Sequence, residues 1–178
     1  MSNVNKNRLV FIDGSGLRAE PRPLTGLAPR GQEAKTTAEK AEKYDIIAIT
    51  ETWLSDNILD SGFNISGYTF LRKDNDLYKS QGGGLVLLAK NEITVVERSD
   101  LDEALFPQSI WCNILAGDTK TLLGVCYRSP DSQRINNEAM FSLLTSASQE
   151  NVVILGDFNI LEIKWDQANT KQVEHPLY

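Results

Sequence analysis

Two short apolar segments, each closed by an acidic residue, constrain the fold of this chain more than any other feature. Residues 45–51 have the sequence DIIAITE, and residues 151–157 have the sequence NVVILGD. The first run predicts a strand that is buried on both faces, and the second is another short apolar run of the same kind. In α/β sheets, ligands bind at the carboxyl ends of such strands. If both strands are central and parallel, the carboxylates of Glu51 and Asp157 converge on one rim of the sheet.

Further apolar segments predict a protein made mostly of strands. Asn91-Glu92 suggests a hairpin after one apolar run, and residues 116–118 suggest a second hairpin. Residues 136–149 carry apolar side chains at helical spacing and predict a helix. The predicted strands are residues 8–12, 45–51, 67–71, 85–89, 93–96, 109–115, 121–128 and 151–157. This order predicts a layered α/β protein with a mixed sheet or a sandwich core.

Length and the content of cysteine and histidine exclude several classes of protein. The 178 residues include two cysteines and one histidine, which excludes a disulfide scaffold, a four-cysteine zinc site and any site that needs two histidines. No apolar run approaches the roughly 20 residues of a membrane span, and the N-terminus lacks the apolar core of a signal peptide. We therefore expect an intracellular protein that is neither secreted nor membrane-bound.

Charge is distributed unevenly and suggests two segments. Residues 1–44 carry a net charge of +3 and the other residues carry −9, which gives −6 for the chain. Prolines and glycines interrupt the first segment, so we expect residues 1–43 to be a poorly defined N-terminal segment and residues 44–178 to form the domain. An acidic domain does not attract nucleic acid through charge alone. It suits a site in which divalent cations meet a phosphate.

The end of the last predicted strand carries two polar side chains that could act together. Residues two apart on an extended chain share a face, so we expect Asp157 and Asn159 to point the same way while Phe158 packs inward. A carboxylate beside a carboxamide can orient a water molecule and hold a phosphate oxygen. Asp and Asn also follow strands simply because they suit turns and caps. For this string after an apolar run, we favour the functional interpretation.

Four segments together resemble the endonuclease/exonuclease/phosphatase family, which has the DNase I-like fold. Residues 45–54 (DIIAITETWL) resemble its metal-ligand motif, residues 123–130 (LGVCYRSP) its strand with the active-site tyrosine, and residues 152–159 (VVILGDFN) its best-known motif. Residues 70–74 (FLRKD), followed by residues 82–85 (GGGL), resemble the corresponding segments in the endonuclease domain of LINE-type non-LTR retrotransposons. The motifs occur in the family's order, which makes the resemblance specific.

The resemblance implies a fold and a chemistry. The fold is a four-layer α/β sandwich, in which two mixed sheets pack face to face between outer helices. The reaction is hydrolysis of a DNA phosphodiester, which nicks one strand, with Mg²⁺ as cofactor, or Mn²⁺ in its place. Glu51 would bind the metal, and Tyr127 would hydrogen-bond the scissile phosphate or the leaving group. Asp157 would activate the attacking water, which Asn159 would position. The ancestry also implies action in the nucleus.

The resemblance is incomplete at both ends of the chain. The family ends with a Ser-Asp-His motif that supplies an acid–base or phosphate-binding histidine, and the sole histidine, His175, has no such context. The family begins with a strand that ends in an active-site asparagine. In this chain, Asp13 would replace that asparagine. We therefore expect a domain that is incomplete at its C-terminus, with weak or no nicking activity. Two alternatives stay open: an inactive remnant or binding module of this fold, and a phosphoesterase for a small phosphate ester.

Other residues have both a structural and a functional interpretation. Arg72 and Lys73 could contact a DNA backbone, although ordinary surface charges are the simpler interpretation. The glycines of residues 82–84 resemble a phosphate loop but predict a tight turn with close backbone packing, because no Lys-Ser/Thr follows. Arg128 could meet a phosphate or face solvent. Two sets are expected only to pack: the cysteines at 112 and 126, and the tryptophans at 53, 111 and 165.

Overall fold

The computed structural model describes residues 9–13, 44–54, 60, 65–75, 83–102 and 106–160. The strands of these ranges are β1 (Leu9–Asp13), β2 (Ile46–Thr50), β3 (Tyr68–Lys73), β4 (Leu85–Lys90), β5 (Thr94–Glu97), β6 (Ser109–Ala116), β7 (Thr119–Tyr127) and β8 (Val152–Asp157). Their helices are α1 (Ser99–Asp102) and α2 (Arg134–Ala147). Neither of these two helices is long and apolar enough to cross a membrane.

The strands form two mixed sheets of four strands each. The first sheet has the order β1-β2-β4-β3, in which β1 and β2 are parallel and the other pairs are antiparallel. The second sheet has the order β5-β6-β7-β8, in which β7 and β8 are parallel and the other pairs are antiparallel. Apolar side chains of both sheets share one cluster, so the sheets pack face to face. This is the α/β sandwich that the resemblance implies.

Apolar side chains from both sheets fill the layer between them. This inter-sheet layer consists of Ile46, Ala48, Leu85, Leu87, Ala89, Ile110, Cys112, Ile114, Leu123, Val125 and Tyr127. The strands β2 and β4 are also covered on their outer faces, by a cluster that includes Ile49 and Val86. Burial on both faces explains why their sequences are continuously apolar. On the outer face of the second sheet, α2 packs through Met140, Leu143 and Ala147.

The chain changes sheet between β4 and β5, so the predicted hairpin at Asn91-Glu92 is wrong. A turn is present there, because the Ile93 N–H donates to the Lys90 carbonyl at 2.8 Å. However, β4 already pairs with β2 and β3 along its two edges, so β5 pairs with β6 instead. The hairpin between β6 and β7 is confirmed. The other predicted strands and the helix are present within a few residues of their predicted bounds.

Strand β1 lies on the N-terminal side of the domain boundary predicted at residue 44. It pairs with β2 in a parallel register that runs from Leu9 beside Ile46 to Asp13 beside Thr50. These residues are therefore part of the first sheet. The assignment of the rest of residues 1–43 falls outside the described residues and stays a prediction.

The predicted packing residues fall into different environments. Trp111 is buried, and its indole lies directly on Gly124, where a Cβ atom would come within 2.5 Å of the ring. Both Cys112 and Cys126 are buried, as predicted. Trp53, in contrast, is 49% exposed. The prediction for the tryptophan at position 165 lies outside the described residues.

Burial makes the two thiols unreactive. Burial raises the pKa of both Cys112 and Cys126 to about 12, so neither forms a thiolate near neutral pH. We expect a thiol reagent such as Ellman's reagent at pH 8 to label almost no cysteine in the folded chain. In guanidinium chloride, which serves as the control, both thiols should react. Rapid labelling of either thiol under native conditions would contradict the buried positions.

Candidate active site

Glu51 lies immediately after β2, where the backbone leaves the first sheet. Its φ of 49° is in the left-handed region, which residues other than glycine rarely adopt. The next two residues are tied to the start of β4, because Thr52 N–H donates to the Gly84 carbonyl at 3.2 Å and Trp53 N–H donates to the Gly83 carbonyl at 3.0 Å. These bonds hold Glu51 in its unusual conformation.

The glycines before β4 allow this close approach. Gly83 and Gly84 have φ values of 93° and 84°, and a Cβ atom on Gly84 would lie 2.6 Å from Thr52 Oγ1. The described part of the triple glycine is therefore a site of close backbone packing, as predicted. The first glycine, at position 82, lies outside the described residues.

Tyr127 connects Glu51 to the second sheet. It is the last residue of β7, it is only 6% exposed, and its ring belongs to the inter-sheet layer. Its hydroxyl group donates a hydrogen bond to Glu51 Oε1. The packing role and the polar role that the sequence left open therefore belong to the same side chain, with the ring in the core and the hydroxyl at the site.

Asp157 ends β8 next to Tyr127. The two residues are partners in the parallel register of β7 and β8. The preceding Gly156 lies so close to Cys126 that a Cβ atom would overlap its carbonyl oxygen, which explains why a glycine precedes the aspartate. Glu51 and Asp157 thus come from different sheets, and β8 is an edge strand among the described strands. The Glu51 carboxylate contacts Tyr127 across the sandwich, and Asp157 lies beside Tyr127 within the second sheet, so the two acidic residues do not share the rim of a single sheet.

Asn159 follows Asp157 through a turn and not along an extended strand. Its φ is 45°, and its N–H donates to Asp157 Oδ1 at 3.2 Å. The argument from an extended chain therefore does not apply, because β8 ends at Asp157. The side chain of Asn159 donates through Nδ2 to the Arg128 carbonyl at 2.9 Å. Phe158 packs against the cluster beneath α2, as predicted.

Arg128 holds the Asp157–Asn159 turn in place. Its backbone N–H donates to the Asp157 carbonyl at 2.8 Å. Its guanidinium donates through Nη1 to the Asn159 carbonyl at 2.8 Å and through Nε to Asn137 Oδ1, also at 2.8 Å. The sequence left open whether Arg128 meets a phosphate or faces solvent. The structure shows a third arrangement, in which it joins the turn to α2.

Gln108 is a site residue that the sequence analysis missed. Its backbone carbonyl accepts from Tyr127 N–H at 2.9 Å, and its side-chain Oε1 accepts from Gly84 N–H at 3.1 Å. It therefore connects the end of β7 with the glycines that hold the Glu51 segment. The hairpin prediction alone would have placed Gln108 opposite Tyr127, since Ser109 pairs with Cys126. Nothing in the sequence indicates that its side chain reaches the other sheet.

Arg72 forms an ion pair within the protein. It donates through Nε and Nη2 to both carboxylate oxygens of Asp74, each at 2.6 Å, and through Nη1 to Asp60 at 3.1 Å. The hydrogen bonds with Asp74 raise the pKa of Arg72. Its side chain is only 11% exposed. The interpretation of Arg72 as an ordinary surface charge is therefore wrong, because both carboxylate oxygens of Asp74 bind its guanidinium group in a mostly buried position.

Of two further positions that the sequence singled out, Asp13 and His175, the structure describes only Asp13. Asp13 ends β1 beside Thr50, so its backbone lies at the same end of the first sheet as Glu51. His175 lies outside the described residues. Within the ranges that the structure describes, no three acidic, histidine or cysteine residues gather into a metal-binding group. Glu51 and Asp157 nevertheless suit Mg²⁺, which commonly takes one or two protein carboxylates and completes its shell with water and phosphate oxygens.

Comparison with known proteins relates the chain to one family. The family model described as "Endonuclease/Exonuclease/phosphatase family" matches residues 3–172. Similar solved structures include the endonuclease domain of TRAS1, a telomere-specific non-LTR retrotransposon, with 12% identity, a TM-score of 0.57, and coverage of 86% of this chain and 61% of that chain. Another is humanized D. rerio TDP2 with 14 mutations, with 13% identity, a TM-score of 0.50, and coverage of 85% and 62%.

These comparisons support the fold of the chain. The chain spans less than two thirds of the length of either solved structure, 61% and 62% respectively. No curated protein sequence matches the chain. At such low identities, the two structures show that the architecture is shared, and the DNase I-like sandwich predicted from the sequence is confirmed.

Replacing Arg128 should destabilise the fold through the turn that it holds. Arg128→Met removes the donors to the Asn159 carbonyl and to Asn137, and we expect a loss of about 1–3 kcal/mol in the free energy of unfolding measured in urea. Arg134→Met is the matched control, because that side chain is 82% exposed and pairs with Glu138 on the helix surface. The control should change stability by about 0.5 kcal/mol or less. Equal losses for the two variants would contradict a bracing role.

Proposed function

The chain belongs to the endonuclease/exonuclease/phosphatase family, and from this premise we propose that it is a DNA endonuclease of retrotransposon origin that uses a divalent cation. One observation carries the proposal. The Tyr127 hydroxyl is bound to Glu51 from the other sheet, and Asp157 lies beside Tyr127 in the neighbouring strand. One carboxylate is thus bound to the hydroxyl group, and a second acidic residue is paired with the tyrosine in the neighbouring strand, at an end of the sandwich where we propose that a phosphodiester and its metal bind together.

Asp157 and Asn159 would act on the water that attacks the phosphorus. Asp157 would accept a proton from this water as the new oxygen–phosphorus bond forms and the bond to the leaving oxygen breaks. Asn159 is joined to Asp157 through its backbone N–H, and its Nδ2 donates to the Arg128 carbonyl, so its carboxamide would act on a water or a phosphate oxygen through its oxygen or its second N–H. A carboxamide offers both donors and an acceptor, which suits the positioning of a water molecule or a phosphate oxygen.

Glu51 would hold Mg²⁺, or Mn²⁺ in its place, and Asp157 would stay free of the cation as the base for the attacking water. The bound cation would neutralise charge on the phosphate and on the leaving oxygen. Tyr127 donates to one oxygen of Glu51 and thereby fixes the orientation of the carboxylate, whose second oxygen can bind the cation. Tyr127 would in this way act on the metal ligand as well as lying near the scissile phosphate.

One feature favours DNA over a small phosphate ester as the substrate. The segments at residues 70–74 and 123–130 resemble the retrotransposon branch of the family more than its phosphatases. The net charge of −6 does not distinguish the two substrates, because either phosphate needs a cation between itself and the acidic site.

The proposal predicts a slow, metal-dependent nicking of plasmid DNA. With Mg²⁺ or Mn²⁺, the purified chain should convert supercoiled plasmid to the open-circular form, and EDTA should stop the reaction. Asp157→Ala should lower the rate by about a hundredfold or more, because the proposed general base is lost. Asp118→Ala is the matched control. It removes an exposed carboxylate in the turn between β6 and β7, at the other end of these strands.

The outcomes separate the proposal from its alternatives. Equal rates for Asp157→Ala and Asp118→Ala would overturn the proposed site. Hydrolysis of p-nitrophenyl phosphate without plasmid nicking would favour a phosphoesterase for a small ester. A folded chain that does neither would be the inactive remnant.

Cation binding offers a test of Glu51 that does not depend on activity. We expect Glu51→Gln to weaken Mn²⁺ binding at least tenfold when free Mn²⁺ is followed by electron paramagnetic resonance, because a neutral amide replaces the anionic ligand. Glu92→Gln is the matched control, since Glu92 is exposed in the turn after β4, away from the end of β4 where Leu85 pairs with Thr50. Similar Mn²⁺ affinity in the wild type and in Glu51→Gln would show that Glu51 is not the metal ligand.

A further inference from the structure

We propose that the indole of Trp53 stacks on an unpaired base of the DNA next to the scissile phosphate. This inference rests on the proposed function and adds a recognition element to it. Trp53 lies two residues after Glu51, the proposed metal ligand, and its side chain is 49% exposed. A substrate whose phosphate sits at Glu51 would therefore place its neighbouring nucleotides within reach of this ring.

The backbone holds Trp53 in this exposed position at an energetic cost. Its φ of 54° is left-handed, which is a rare conformation for a bulky side chain. The Trp53 N–H donates to the Gly83 carbonyl at 3.0 Å, and the residues on either side, Thr52 and Leu54, are 1% and 5% exposed. The segment is thus anchored on both sides, so the fold fixes the backbone of Trp53 at a position where the residue stays half-exposed.

Single exposed apolar side chains are common on proteins and need no function. Val96 and Ile135 are examples in this chain, with exposures of 46% and 70%. Trp53 differs from them in three respects that occur together. It is aromatic, its backbone is in a strained conformation, and it neighbours a proposed metal ligand. Strained residues of this kind concentrate at sites of ligand binding and catalysis.

The negative charge of the chain favours an uncharged, aromatic contact as a source of affinity for DNA. With a net charge of −6, the protein gains little affinity for DNA from its overall charge. The two arginines considered for phosphate contact are bonded to protein groups, Arg72 to Asp74 and Arg128 to the Asn159 carbonyl. Stacking of a base on an aromatic ring needs no charge, and every base has a face that can stack.

Stacking also indicates the kind of DNA that would be favoured. A base inside a perfect duplex is already stacked on its neighbours, so the indole can reach a base face only where a base is unpaired, flipped or single-stranded. DNA with unpaired bases beside the cleaved position should therefore bind more tightly than a perfect duplex.

The test compares binding of fluorescently labelled single-stranded oligonucleotides by anisotropy, with Ca²⁺ present and Mg²⁺ absent. We expect Trp53→Ala to weaken binding between about fivefold and a hundredfold, and Trp53→Phe to stay within about threefold of the wild type. Val96→Ala is the matched control, because it shortens an exposed apolar side chain on β5, an edge strand of the other sheet. It should leave binding unchanged.

Two further measurements separate stacking from a structural role of Trp53. With an oligonucleotide that carries abasic sites in place of bases, the wild type and Trp53→Ala should bind equally, because the stacking partner is gone. Trp53→Gly should bind DNA as weakly as Trp53→Ala. Its melting temperature should be equal to or higher than that of Trp53→Ala, because glycine adopts the left-handed conformation without strain. If Trp53→Ala melts at a lower temperature than the wild type but binds the oligonucleotides equally well, Trp53 has a packing role alone.

Failure of this inference differs from failure of the proposed function. If the wild type nicks plasmid and Trp53→Ala binds DNA as tightly as the wild type, the inference is overturned and the proposed function stands. If the wild type neither binds oligonucleotides nor nicks plasmid, the proposed function fails, and the inference fails with it.

Discussion

The hydrogen bond from the Tyr127 hydroxyl to the Glu51 carboxylate joins the two sheets at the end where the polar residues gather. Glu51 leaves the first sheet at the end of β2, and Tyr127 ends β7 in the second. Because the Tyr127 ring is packed in the inter-sheet layer, core packing fixes the position of its hydroxyl. The geometry of the site therefore depends on how the sheets pack. A shift of one sheet along the other would separate Glu51 from both Tyr127 and Asp157.

Close backbone contacts and strained residues surround this bond. Among the described residues other than glycine, those with positive φ are Glu51, Trp53 and Asn159, and all three lie at or next to the site. Such conformations cost roughly 1–3 kcal/mol each and persist where surrounding contacts hold them. Here the holding contacts are visible. The carbonyls of Gly83 and Gly84 secure the segment after Glu51, and Arg128 secures the turn at Asn159.

Sequence reasoning succeeded where burial dictates the residue types. The run at β2 is apolar because neighbours cover both of its faces, so composition sufficed to predict this strand. Strand β8 was predicted from the same kind of run, although it is an edge strand among the described strands and its Val153 is 38% exposed. The motifs sufficed to predict the sandwich. Sequence reasoning failed at Asn91-Glu92, where a turn signal cannot reveal that both edges of β4 are already occupied. It placed Glu51 and Asp157 on one rim on the condition that both strands were central and parallel, a condition that is not met because β2 and β8 belong to different sheets; a local pattern does not say which sheet a strand joins. Gln108 and Arg128 act through long-range hydrogen bonds, which leave no local pattern.

Electrostatics connects the acidic site, the paired arginines and the proposed aromatic contact. Glu51 and Asp157 would repel a phosphate, and the acidic chain around them adds to that repulsion. Arg72 and Arg128 supply positive charge, but their guanidinium groups bind Asp74 and the turn at Asn159, so their charge stabilises the protein itself. Affinity for DNA would then have to come from sources other than a basic surface. A divalent cation between the carboxylates and the phosphate is one such source, and an uncharged contact to a base is another. If the chain binds DNA as proposed, DNA binding at the site would be coupled to cation binding, because a phosphate could approach Glu51 only with a cation between them.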